Sequence, residues 1–173
     1  RNSIRRWKSS LIDEKISKLN NEQKLVITIT QFDRTTIHTF LSSPSAQSRF
    51  QLRLQEFLDS SQRPIAGINI DIEYAGEATP QLRQDYVQLV RATRQTLDDW
   101  AVTRQRPALE LSASVFASAA SRPLLWDLPA LAPYLDRVVM MAYDFHRPSS
   151  PVAGPVAPVF GAKESWDHDV VLH

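Results

Sequence analysis

The sequence contains no cysteine, which excludes disulfide bonds and metal sites built from thiolate ligands. It also has almost no excess of charge, since 20 Lys and Arg residues balance 19 Asp and Glu residues to a formal net charge of +1. This balance predicts no electrostatic attraction for nucleic acid or for an anionic membrane surface. The apolar runs are only as long as strands, so no membrane-spanning helix is predicted. The 4 histidines show no metal-ligating spacing, and we predict no metal site.

What the sequence does contain is a regular alternation of helical and strand patterns. Apolar and β-branched runs predict strands at residues 25–29, 67–74, 109–117 and 138–143. Helical periodicity predicts helices over residues 10–19, from 43 to 58, from 79 to 100, around 130–134 and over 165–172. Prolines between residues 148 and 158 predict a long irregular loop. Strict alternation of this kind indicates an α/β fold with a parallel sheet and right-handed crossovers.

The predicted strand at residues 67–74 has one apolar and one polar face. The apolar face consists of Ile and Tyr residues, while the other face consists of Gly67, Asn69, Asp71 and Glu73. Alternation alone fits a half-exposed antiparallel strand equally well, but strands of a parallel sheet are usually apolar on both faces. Carboxylates are costly to bury, and the parallel sheet that holds them at its mouth is the (β/α)8 TIM barrel. The chain of 173 residues is shorter than the roughly 250 residues of a complete barrel.

Two of the predicted strands end in polar motifs. Residues 66–73 read Ala-Gly-Ile-Asn-Ile-Asp-Ile-Glu, and residues 141–144 read Met-Ala-Tyr-Asp. In this order, with one βα unit between them, they resemble the D-G-x-D-x-D-x-E and M-x-Y-D motifs of glycoside hydrolase family 18, the chitinases and their relatives. The departures are Ala66 and Asn69, where the family motif has Asp. The resemblance implies that residues 1–173 form part of one catalytic barrel domain and cover roughly strands three to six. The rest of a longer chain would then supply the missing strands.

The resemblance also implies catalytic roles for three residues. Glu73 would act first as general acid and then as general base. Asp71 would hold the acetamido N–H of the sugar and stabilise the oxazolinium intermediate, and Tyr143 would hydrogen-bond the acetamido carbonyl. Neither a cofactor nor a metal is implied.

A second set of residues would bind the substrate. Asn69 would support Asp71 without adding charge, and Asp144 would bind a sugar hydroxyl. Met141, the first residue of the M-x-Y-D motif, and Gln31, which follows the predicted strand at residues 25–29, complete the set, although packing is the commoner role of methionine. Trp126 and Trp166 have two open interpretations, stacking on sugar rings or packing at a loop.

The function implied by the resemblance is hydrolysis of β-linked N-acetylglucosamine polymers, chitin or chito-oligosaccharides, by a substrate-assisted retaining mechanism. The expected partner is therefore an oligosaccharide or polysaccharide that contains N-acetylglucosamine. Two alternatives remain open: a non-catalytic, carbohydrate-binding lectin on the same fold, and an N-acetylglucosaminidase that acts on peptidoglycan or N-glycans. The resemblance also favours a secreted or extracellular location.

Overall fold

The computed structural model of the protein describes residues 10–20, 22–61, 63–122 and 124–160. The first half contains α1 (Ser10–Ile16), β1 (Leu25–Gln31), α2 (Arg34–Leu41), α3 (Pro44–Ser60) and β2 (Ile65–Ile72). The second half contains α4 (Pro80–Thr103), β3 (Glu110–Phe116), α5 (Leu128–Leu131) and β4 (Arg137–Met141). Short 3-10 helices follow β3 (Ala117–Ala120) and α5 (Ala132–Tyr134).

The four strands form one parallel sheet, and their order in the sheet, β1-β2-β3-β4, is their order in the sequence. The predicted α/β architecture with adjacent parallel strands is therefore confirmed. The strands β2 and β4 end at Ile72 and Met141, two residues earlier than the sequence pattern predicts. Glu73 and Tyr143 consequently lie just beyond the strands, where the chain leaves the sheet.

The helices begin at residues that the sequence pattern identifies. Ser43 Oγ accepts a hydrogen bond from Ala46 N at 3.3 Å, and Thr79 Oγ1 accepts one from Leu82 N at 3.2 Å. In both cases proline is the first helical residue, where its missing N–H costs nothing.

The sequence pattern does not predict α2. Its threonines and histidine have low helical propensity, and the helix begins because Asp33 Oδ1 accepts a hydrogen bond from Thr36 N at 2.8 Å. The predicted helix at residues 165–172 lies outside the described residues.

One face of the sheet packs against the helices and forms the core. Ile68, Ile70 and Ile72 are 0%, 1% and 5% exposed, and they belong to the same buried cluster as Leu82 and Leu89 of α4. Burial of each isoleucine stabilises the fold by about 1.5–3 kcal/mol. The polar residues of β2 alternate with these isoleucines, so packing of the apolar face determines which side of the sheet they occupy.

The two outer strands of the sheet have open edges. Within the part of the chain that the structure describes, β1 and β4 each pair with a single neighbour. Val138, Val139 and Met140 of β4 are 45–47% exposed, although they alternate between the two faces of the sheet. Apolar side chains exposed on both faces of a strand indicate that more structure covers this edge in the complete protein. None of the helices in the described ranges is both long and apolar enough to cross a membrane.

Candidate active site

The polar face of β2 places Asn69 and Asp71 in a row that continues to Glu73. Asn69 is 8% exposed, whereas Asp71 and Glu73 are partly exposed toward the carboxyl end of the sheet. Strand geometry separates the Cα atoms of Asp71 and Glu73 by about 7 Å on one face. At this spacing the negative charge of Asp71 acts on the Glu73 carboxyl.

The main chain at Glu73 remains attached to the sheet although β2 has ended. Glu73 N donates a hydrogen bond to Gln31 O at 2.9 Å, which ties the residue to the end of β1. Next to it, the guanidinium carbon of Arg34 lies 4.7 Å from the ring centre of Tyr74, a cation–π contact between the first residue of α2 and the loop that follows β2. These contacts hold the Glu73 carboxyl at the sheet edge.

The Glu73 carboxyl is electrostatically perturbed. Burial raises its pKa above the ordinary value, and the negative charges of Asp71 and Asp144 raise it further. The positive charge of Arg147 opposes this shift. A carboxyl with a raised pKa retains its proton to higher pH, as a general acid requires.

Asp71 has an unsatisfied oxygen. Its Oδ1 is buried and has no hydrogen-bond partner among the described residues. A buried carboxylate oxygen without a donor is costly, so such an atom indicates a group that another donor reaches during function.

Behind the sheet, burial raises the pKa of the Tyr86 hydroxyl on α4, and the Asp71 charge adds to this effect. The nearby Trp126 opposes the rise, although its Nε1 and the Tyr86 hydroxyl do not meet in hydrogen-bonding geometry.

The loop after β4 carries Tyr143 and Asp144 to the same edge of the sheet. Tyr143 is 55% exposed, and Asp144 adopts a left-handed backbone conformation with φ of 62°. The loop folds back on itself through a 3.0 Å hydrogen bond from Phe145 N to Val156 O. As predicted, residues 148–158 contain neither helix nor strand, and the irregular segment begins earlier than predicted, at Ala142. Asp144 lies close enough to Glu73 for its charge to affect that carboxyl.

A depression of about 280 Å³ opens between the carboxyl ends of β3 and β4. Its lining includes three of the predicted site residues, Met141, Tyr143 and Asp144, together with Arg122 and Arg147. A larger depression of about 1020 Å³ lies at the opposite end of the sheet, where β2 and β3 begin. Active sites of α/β barrels lie at the carboxyl ends of the strands, and the smaller depression lies at that end. Asp71 and Glu73 are not among its lining residues.

The side chain of Gln31 is not brought together with those of the other candidates, although its main-chain oxygen accepts the hydrogen bond from Glu73 N. It pairs in register with Ile72, so its side chain starts on the face that packs against the helices. Its Oε1 accepts hydrogen bonds from Phe32 N and Asp33 N, both at 2.9 Å. The structure therefore gives Gln31 a local role in the turn after β1, and its contact with substrate stays a prediction.

Two aromatic residues also bear on the site. Trp126 is 2% exposed and packs edge-on against Phe116 with ring centres 4.8 Å apart, which settles its role as packing. Trp166 lies outside the described residues. Phe32, which the sequence analysis does not single out, is 58% exposed directly after β1. Phe32 could have been identified from the sequence as an aromatic residue directly after a predicted strand.

The geometry agrees with comparisons to known proteins. The family model described as "Glycosyl hydrolases family 18" matches residues 7–172. The chain belongs to this family. It is 30% identical over 161 residues to a class V chitinase of Arabidopsis thaliana, an alignment that covers 88% of this chain and 40% of the relative. The motifs at residues 66–73 and 141–144 therefore identify the family correctly.

Solved structures show the same fold. A family 18 chitinase of Cycas revoluta, solved in complex with (GlcNAc)3, is 26% identical with a TM-score of 0.68, and the match covers 86% of this chain and 44% of that one. A chitinase-like agglutinin of Robinia pseudoacacia is 24% identical with a TM-score of 0.71, covering 89% and 47%. The chain thus spans less than half the length of these relatives, and its sheet is part of the family's TIM barrel.

Within the described residues, no group of three or more His, Asp or Glu side chains is arranged to hold a metal ion. The charged groups that act on Glu73 are the carboxylates of Asp71 and Asp144 and the guanidinium of Arg147. Together they suit contact with a polar neutral ligand. Such an arrangement can donate a proton, orient an amide and bind hydroxyl groups.

Proposed function

We propose that this chain is part of the catalytic domain of a glycosidase that hydrolyses β-linked N-acetylglucosamine polymers, either chitin or chito-oligosaccharides. The observation that carries the proposal is the pair Asp71 and Glu73, held on one face at the carboxyl end of β2, with the pKa of Glu73 raised by burial and by the Asp71 charge. Residues 1–173 contribute one part of that domain, and the rest of a longer chain contributes the remaining strands. The family 18 chitinase of Cycas revoluta that was solved in complex with (GlcNAc)3 supports this substrate class.

The reaction proceeds with Glu73 as general acid. Glu73 donates its proton to the glycosidic oxygen as the bond to the anomeric carbon breaks. The acetamido oxygen of the substrate attacks that carbon, so the positive charge is carried by a cyclic oxazolinium ion. Glu73, now ionised, removes a proton from the water that opens this ion, and the anomeric configuration is retained.

The neighbouring residues orient the acetamido group. Asp71, whose Oδ1 has no hydrogen-bond partner within the described structure, accepts the acetamido N–H and balances the charge of the oxazolinium ion. The exposed Tyr143 hydroxyl donates to the acetamido oxygen, and Asp144 accepts from a sugar hydroxyl. Met141 contributes apolar contact in the same depression.

A second candidate function is binding without cleavage. The likeness in fold to a chitinase-like agglutinin supports it. Retention of Glu73, Asp71 and Tyr143 together favours the enzyme, because a binding protein has no need for a carboxyl with a raised pKa at this position.

The test compares Glu73→Gln with the wild type in the full-length protein that contains this chain. The amide keeps the shape of the side chain but cannot donate a proton, so oligosaccharide binding should persist while hydrolysis falls by about 10²–10⁴-fold. Glu77→Gln is a matched control, because Glu77 is an exposed carboxylate in the loop after β2. Equal turnover in Glu73→Gln and wild type would remove Glu73 from the mechanism. Tight binding by a wild-type protein that does not cleave would establish the lectin alternative.

A further inference from the structure

Three polar side chains form a buried cluster on the polar face of β2 and β3. Asn69, Ser112 and Ser114 are 8%, 3% and 6% exposed. Ser112 Oγ donates to Asn69 Oδ1 at 2.9 Å, and Asn69 Nδ2 donates to Ser114 Oγ at 3.0 Å. Each end of the Asn69 amide therefore has its own serine partner.

The register of the strands gives the amide a direction. Ser112 pairs with Asn69 across the sheet, whereas Ser114 lies two residues closer to the carboxyl end of β3, as Asp71 does on β2. The oxygen of the Asn69 amide thus lies level with Ser112, its partner across the sheet. The amide nitrogen lies on the side of Asp71 and Glu73. A serine hydroxyl can either donate or accept, so the two serines alone would also tolerate the reversed amide. The negative charge of Asp71 selects the orientation observed, because the reversed amide would turn its oxygen toward a carboxylate.

Donors remain available beside Asp71. An amide nitrogen carries two hydrogens, and the bond to Ser114 uses one of those on Asn69 Nδ2. Because Ser114 Oγ accepts in that bond, its own hydroxyl hydrogen is still available to donate. Asp71 Oδ1, on the same face of the sheet, is buried and has no partner among the described residues.

We propose that Ser112 and Ser114 are positioning residues that anchor the two ends of the Asn69 amide. The charge of Asp71 selects the direction of the amide, and the anchored donor end then holds Asp71 in the orientation that binds the substrate's acetamido group. The proposal rests on the function proposed above. It also gives a physical meaning to the departure at position 69. A carboxylate has two equivalent oxygens and needs no fixed direction, whereas an amide has a donor end and an acceptor end that must be distinguished.

The test removes the hydroxyls in the full-length protein. Ser114→Ala should lower kcat by about 10-fold and leave KM within about 2-fold, because the lost contact orients a reacting group and does not bind sugar. The control is Thr93→Val on α4, which removes another buried hydroxyl, one that donates to Leu89 O at 2.8 Å. It should lower the melting temperature without changing kcat. Ser114→Ala with unchanged kcat would overturn the proposal.

A double-mutant cycle tests whether Ser114 affects kcat through Asn69. If Ser114 acts through Asn69, then Ser114→Ala should have almost no further effect on kcat in an Asn69→Ala background. Additive effects of the two substitutions would contradict the proposal. If the wild type binds chito-oligosaccharides without cleaving them, the proposed hydrolase function fails on its own. The same cycle is then measured on the dissociation constant, where coupling between positions 69 and 114 supports the positioning role and additivity excludes it.

Discussion

Arg147 Nη2 lies 3.3 Å from Asp144 Oδ2, so the loop after β4 carries a cation and an anion together at the edge of the sheet that holds Glu73. Both charges act on the Glu73 carboxyl, Arg147 by lowering its pKa and Asp144 by raising it. The loop can therefore adjust the acid without contacting it.

Arg147→Gln should shift the alkaline limb of the pH–rate profile to higher pH. Glu73 must be protonated to act as the acid, so activity is lost as pH rises through its pKa. Removal of the cation that lowers this pKa raises it further, and protonation then persists to higher pH. Arg122→Gln is the control, because Arg122 lines the same depression but is not among the groups that perturb Glu73. A shift of equal size in both variants would show that the effect comes from general surface charge.

Asn69→Asp should change the pH–rate profile and preserve activity. A carboxylate at this position lies about 7 Å along the strand from Asp71 and adds a negative charge beside the acid pair, so the pH dependence of catalysis should change. The hydroxyls of Ser112 and Ser114 can each donate to the new carboxylate, and the fold should persist. Gln84→Glu adds the same charge at an exposed site on α4 and should leave the profile unaltered. If the Asn69→Asp profile matched that of the wild type, position 69 would be uncoupled from the acid pair.

Phe32→Ala should weaken oligosaccharide binding and leave kcat nearly unchanged. The ring is 58% exposed at the carboxyl end of β1, where it can cover one face of a sugar. Covering that exposed surface is worth about 1–2 kcal/mol, or roughly 5–30-fold in the dissociation constant. Leu52→Ala on α3 is the control, since Leu52 is 59% exposed. Titration calorimetry measures the affinity of both variants for the oligosaccharide. Equal affinities of Phe32→Ala and Leu52→Ala would exclude Phe32 from the binding surface.

Gly67→Ala should destabilise the protein by about 1–3 kcal/mol. A methyl group at this position would lie 2.7 Å from Glu110 O and 2.9 Å from Glu110 Cβ, which forces β2 and β3 apart. Chemical denaturation of the full-length protein measures the loss. A variant as stable as the wild type would mean that the two strands separate at no cost.

Fully deacetylated chitosan should not be cleaved. The nucleophile in the proposed mechanism is the acetamido oxygen of the substrate, so a sugar without that group cannot form the oxazolinium ion. Acetylated chito-oligosaccharides, the matched substrate, should be cleaved with retention of the anomeric configuration, which NMR observes directly. A thiazoline analogue, in which sulfur replaces the acetamido oxygen, should bind more tightly than the parent sugar. An inverted product would rule out substrate assistance.

The sequence predicts the elements whose apolar pattern is strong. The alternation in residues 67–74 identifies β2 and its polar face because the isoleucines of the opposite face form the core. The predicted strand ends are less accurate. The chain turns at Ala142, whose N donates to Met140 O at 3.1 Å, and then adopts a positive φ at Asp144. Both features depend on local backbone geometry, which the apolar pattern does not report.

Contacts between distant residues could not be predicted from the sequence. Asn69 is 43 residues from Ser112 and 45 from Ser114, and only the register of β2 with β3 brings them together. The position of Gln31 depends on register in the same way, because a shift by one residue moves a side chain to the other face.

The identity of strand order and chain order bears on how the protein folds during synthesis. Each new strand pairs with the strand completed just before it, so every pairing closes a loop no longer than one helical crossover. The ribosome delivers the strands in the order in which the sheet accepts them, and β2 can pair with β1 before β4 has been translated. The nascent chain therefore presents one growing edge, and the next βα unit to emerge covers it.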